Sequence, residues 1–122
     1  MLRLAVGAWA GLRVGLGVTA LAVPRAAGGF WVGSAASTPA GAVFGRALGA
    51  RDVALGAGTL DAVRSGAPVR TWVLTAGFAD ALDALATVRA RPALPAGRRD
   101  LVVAASAGSA VLAALLAAGL RE

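Results

Sequence analysis

The chain has 122 residues, 58% of them hydrophobic, with a mean hydropathy of +0.76, whereas soluble domains run at roughly 45–50% apolar. That balance argues against an ordinary soluble domain, and four short membrane spans would use nearly all the residues, leaving one integral membrane domain over 1–122. The net charge of +6 comes from twelve arginines dispersed between apolar runs, a pattern that suits membrane-flanking anchors and not the solvated basic face of a nucleic-acid binder. Cysteine and histidine are both absent, so disulfides, thiol chemistry and the usual zinc ligands are excluded and no cofactor is expected. Alanine, glycine, leucine and valine dominate, and arginine without lysine fits a high-GC codon bias.

The first predicted element covers residues 4–23 and is closed by Pro24, which cannot continue a helix. Gly7, Gly11 and Gly15 recur every four residues along it, a smooth strip on which another helix could dock. A signal peptide competes for the same segment, with Arg3 as the positive start, 14–21 as the apolar core and Ala20-Leu21-Ala22 as a small-residue cleavage site. On that reading the remainder would be a secreted alanine-rich helical protein. Arg13 interrupts the apolar run, however, and further membrane-length segments follow, so an uncleaved span is the preferred expectation.

Residues 24–41 are rich in glycine, serine and proline and read as a loop, with room for a short interfacial helix. Phe30 and Trp31 within it are expected at headgroup level or as a cap on the helices. The second span covers 42–63, and Ser65-Gly66-Ala67-Pro68 makes a tight turn that sets the second and third helices antiparallel. The third covers 69–88, with Trp72 as an interfacial anchor. Arg89, Arg91, Pro92, Pro95, Gly97, Arg98, Arg99 and Asp100 form a polar connection. The fourth covers 101–120, uncharged throughout, with Ser106, Gly108 and Ser109 as small interface residues. The fold expected is all-α, a four-helix transmembrane bundle.

With four spans, the first and third loops share one side. That side carries Arg25, Arg89, Arg91, Arg98 and Arg99, with Arg46 at the rim, against Arg3, Arg64, Arg70 and Arg121 opposite, six against four. The positive-inside rule then puts those loops in the cytoplasm and both termini outside.

Ionisable residues fall near the middle of three spans: Arg13 in the first, Arg51 and Asp52 in the second, Asp80 and Asp83 in the third. A lone charge at the bilayer centre costs roughly 2.5–3.5 kcal/mol on insertion scales, so these groups need partners away from lipid. Asp80 and Asp83 share a helical face with Ala76 and Thr87. Arg51 and Asp52 are adjacent and point about 100° apart around a helix, so each is expected to find its partner on another helix. The simplest arrangement sets Arg13 and Arg51 against Asp80 and Asp83, since arginine's planar fork matches a carboxylate. Such a cluster is a polar clasp fixing helix order, or, because three carboxylates outnumber two guanidiniums, a place to hold a proton or cation. Arg46 and Asp61 lie nearer the ends of the second span and read as interfacial. No serine or threonine has a histidine to activate it and no phosphate-binding loop occurs, so no enzyme is expected.

Arg46, the run Gly49-Ala50-Arg51-Asp52-Val53-Ala54-Leu55-Gly56, the later Asp80-Ala81-Leu82-Asp83, and Arg13 followed by Gly17 and Pro24 resemble a family of uncharacterised small four-span membrane proteins from high-GC bacteria. The resemblance covers most of the chain and implies an integral membrane protein with no established activity. Small multidrug transporters share the length and span number but carry their essential carboxylate in the first helix, where this chain offers Arg13 and no acid. The expected surroundings are the lipid bilayer of a cell membrane, with a second copy or a membrane protein as candidate partner and no nucleic acid. The expected role is structural or accessory, with a small proton- or cation-coupled transporter or channel subunit as the alternative.

Overall fold

The computed structural model describes residues 1–120, so Arg121 and the orientation count resting on it lie outside the described residues. These residues are all-α: α1 (Leu2–Ala22), α2 (Pro24–Val32), α3 (Pro39–Ser65), α4 (Val69–Ala90) and α5 (Arg98–Gly119), with short 3-10 turns at Gly33–Ser37 and Arg91–Ala93. The four long helices run antiparallel to their chain-order neighbours, α1 against α3 and α4 against α5 making the closest approaches.

Several local signals act where expected. Val23 caps α1 by donating its N–H to Thr19 O at 2.9 Å, and Pro24 opens α2 instead of only ending α1, because a proline at the first helical position loses no hydrogen bond. Thr38 caps α3, its Oγ1 accepting from Gly41 N at 2.9 Å, with Pro39 next in line. Gly66 adopts φ +77° and closes α3 with a left-handed residue.

The segment 24–41 departs from the expected loop: most of it is helix and 3-10 turn. Its glycines are compatible with a short helix once Pro24 supplies the start and Trp31 the tertiary anchor, the indole Nε1 donating to Thr87 Oγ1 at 3.0 Å. Phe30 sits under the Arg98 guanidinium, 5.8 Å from the ring centre. Arg98, Arg99 and Asp100 likewise belong to the first turn of α5, not to the preceding connection, which Gly97 ends with φ +81°.

Glycine packing also differs from expectation. A Cβ at Gly7, Gly11 or Gly15 would meet nothing within 4 Å, so that strip is an open surface. The contact between α1 and α3 is made by Gly17, Gly49 and Gly56. A Cβ on Gly49 would lie 2.7 Å from Gly17 O, and one on Gly56 2.8 Å from Ala10 O. Backbones touch there, and only glycine permits it.

The α4–α5 pair closes over Gly77 against a side chain, where a Cβ would come within 2.6 Å of Ala113 Cβ. Between the two pairs, Val6, Ala62, Val69, Val73, Ala113, Leu116 and Ala117 form an apolar core at the end holding the Gly66 turn.

Among the described residues, only α1 and α5 are long and apolar enough to cross a membrane by length and composition, at mean hydropathies of 1.5 and 2.2. The other two long helices, α3 and α4, carry central charges that lower theirs.

Candidate functional site: a charged centre between two helix pairs

The midpoints of the four long helices fall at residues 12, 52, 79–80 and 108–109. Arg13, Asp52, Asp80 and Ser109 therefore stand at one level, and the chain's helix lengths put them there. Arg13 is buried. Its Nη1 donates to Asp52 Oδ1 at 2.9 Å, and its Nη2 donates to Asp80 Oδ2. Arg51 makes a two-pronged bond to Asp83, Nη1 to Oδ1 at 3.0 Å and Nη2 to Oδ2 at 2.7 Å, the fork-to-fork geometry that gives arginine–carboxylate pairs their strength.

Arg51 and Asp52 do touch, contrary to the expectation from their angular separation, with Nε and Nη2 lying 3.4 and 3.2 Å from Asp52 Oδ1. The reason is side-chain length. A guanidinium several bonds from its Cα can bend back over the neighbouring short carboxylate while reaching Asp83 with the same fork. Asp52 Oδ1 thus accepts from both arginines and ties the two ion pairs into one network.

Two further residues complete the site. Ser109 Oγ donates to Asp80 Oδ2 at 2.6 Å, and Trp9 Nε1 donates to Ser109 Oγ at 3.0 Å. The Arg13 guanidinium stacks over the Trp9 ring, 5.1 Å from its centre, adding a cation–π contact. Sequence reasoning placed Ser109 at a helix interface without linking it to the charges, and passed over Trp9. The spacing of Trp9 and Arg13, one helical turn apart, was the available signal. On α4, Thr87 and Ala76 continue the inward stripe and are buried, while Arg46 and Asp61 are exposed.

The network joins the two helix pairs at mid-height, beyond the apolar core that also spans them. Arg13 and Trp9 on α1 reach α4 and α5, and Arg51 on α3 reaches α4, across the seam between the α1–α3 and α4–α5 pairs, while Arg13–Asp52 and Ser109–Asp80 tie the helices within each pair.

Beside it lies a cavity of about 400 Å³, lined by Trp9, Arg13, Trp31, Asp52, Asp80, Asp83, Ser106 and Ser109, with Leu12, Leu16 and Leu112 at its apolar edge. Asp80 Oδ1 and Asp52 Oδ2 accept no hydrogen bond from any described residue. The Arg13 Nε is a buried donor without a hydrogen-bond partner among the described residues. Among the described residues no cluster of three or more metal-ligating side chains occurs.

No family model, curated protein or solved structure matches this chain.

Proposed function

We propose that the protein is a small integral membrane protein whose four long helices cross the bilayer as a bundle. In this reading the network of Arg13, Arg51, Asp52, Asp80 and Asp83 is a clasp that fixes how the two helix pairs meet. The role is structural or accessory, without enzymatic activity of its own.

One observation carries the reading. The distribution of side chains is inverted relative to a soluble protein. Val6, Val69, Val73 and Thr59 are the largest fully buried side chains, whereas Phe78 is 65% exposed, Leu4 77% and Leu115 66%. On α4, Leu74, Phe78, Leu82 and Leu85 make an outward apolar stripe at helical spacing while Asp80 turns inward. In water that surface would aggregate; in lipid it is the solvated face, and the charges are the groups that need burial.

Alkaline carbonate or urea washing tests this directly. The protein should stay in the membrane pellet, and its release into the supernatant would end the reading.

The second reading, a proton- or cation-coupled carrier, is favoured by the cavity beside the network. Three carboxylates face two guanidiniums, and two carboxylate oxygens have no partner among the described residues, which leaves capacity for one more positive charge. Asp80→Asn in reconstituted vesicles separates the readings. Folded protein that has lost a proton or cation flux present in the wild type supports transport. Loss of folded protein, or no flux in either form, supports the clasp.

A further inference from the structure

The helix ends around α2 hold Arg25, Arg46, Arg89, Arg91, Arg98 and Arg99, with Asp100 as the one acid. Several of these arginines are engaged. Arg91 pairs with Asp100 at 2.7 Å, Arg99 donates to Arg91 O at 2.8 Å, and Arg98 rests on Phe30. Arg25, Arg46 and Arg89 make no hydrogen bond or ion pair with a described residue, and of these Arg25 and Arg46 stand together.

These two line one cleft of about 470 Å³, formed where α1 breaks and α2 begins. Its other walls are Ala22, Val23, Pro24, Ala26 and Ala42. No carboxylate among the described residues lines it. Two guanidiniums sharing a cleft repel each other unless an anion lies between them, and nothing else in the wall supplies negative charge.

We infer that the cleft between Arg25 and Arg46 binds a phosphate group. Two planar forks match the oxygens of a phosphate or phosphodiester better than a single-atom anion. Small aliphatic walls leave space for what the phosphate carries, and the volume suits a headgroup-sized ligand. Two sources share this chemistry: an anionic phospholipid such as phosphatidylglycerol, drawn by basic residues at a membrane surface, and free inorganic phosphate. The lipid source rests on the membrane reading above, while the cleft itself does not.

The test uses the purified full chain in mixed micelles. It is titrated separately with phosphatidylglycerol, phosphatidylcholine and inorganic phosphate, with bound lipid counted by native mass spectrometry and phosphate binding followed by calorimetry. Saturable phosphatidylglycerol binding in excess of phosphatidylcholine, weakened roughly thirtyfold in R25A/R46A, supports the site and assigns it to lipid. Phosphate binding with the same sensitivity supports the site and assigns it to a soluble ligand.

R64A/R89A removes equal charge from outside the cleft and should change affinity by less than about threefold. Equal loss in the two double variants overturns the proposal, as does the absence of saturable binding in both arms. Helical circular dichroism of each variant is recorded first. If R25A/R46A does not fold, R25K/R46K takes its place, keeping charge but losing the forks, and is expected to bind about tenfold more weakly.

Carbonate extraction of the same protein keeps the two conclusions apart. A pellet-retained protein with no phosphate binding defeats this inference alone, and a carbonate-released protein that binds phosphate defeats only the membrane reading.

Discussion

At the scale of single residues, Arg13 is the pivot, because it is buried and answers carboxylates on two other helices. Removing one partner of a buried pair leaves an uncompensated charge, whereas removing both can be nearly neutral. Arg13→Met should therefore destabilise by roughly 3–5 kcal/mol. The double variant R13M/D80L should be more stable than R13M alone, as read by denaturant titration in detergent. Simple additivity of the two substitutions would show that Arg13 and Asp80 are not energetically coupled. Ser109→Ala removes one hydroxyl from the same network, with an expected loss of about 1 kcal/mol. The contact between Arg51 and Asp52 belongs at this scale too. Angular position around a helix describes Cβ directions, and a long flexible side chain escapes that rule.

At the scale of helices, backbone proximity separates glycines that look alike in sequence. Gly49 and Gly56 press on α1, while Gly11 faces open space. Gly49→Leu must push α3 away from Gly17, because the atom in the way is a backbone carbonyl that cannot rotate aside. A loss of roughly 1–3 kcal/mol or more is expected. Gly11→Ala should be neutral or stabilise by about 0.5–1 kcal/mol, since an alanine in an exposed helix loses less backbone freedom on folding. Thermal unfolding of the two variants side by side checks the contrast, and equal effects would mean that the α1–α3 approach is not glycine-dependent.

For the whole molecule, the outward apolar surface and inward charges make opposite demands in water and in lipid. Phe78 projects outward next to the helix midpoint where Asp80 projects inward. Phe78→Asp should lower membrane insertion by roughly 2.5–3.5 kcal/mol, measurable as loss from the carbonate-resistant pellet. The same change on the surface of a soluble protein would move stability by only about 0.5 kcal/mol. Topology can be read with cysteines, since the natural chain has none. If the loops around α2 and before α5 face the cytoplasm, Ser65→Cys should react with an impermeant maleimide in intact cells, and Ser34→Cys only after permeabilisation.

The helical class, the turn at Gly66 and the presence of charge near the middle of three helices were legible in the residues, because periodicity, helix breakers and the cost of burying charge are local properties. The reach of Arg13 to two carboxylates, the entry of Trp9 and Ser109 into the network, the helical path of 24–37 and the choice among the glycines were not. Each depends on which helix lies beside which, and no single segment carries that information. Hydropathy marks α1 and α5 as membrane-competent and leaves α3 and α4 short, because an average penalises Asp80 and Arg51 equally whether they face lipid or each other. Only their mutual placement in three dimensions removes that penalty.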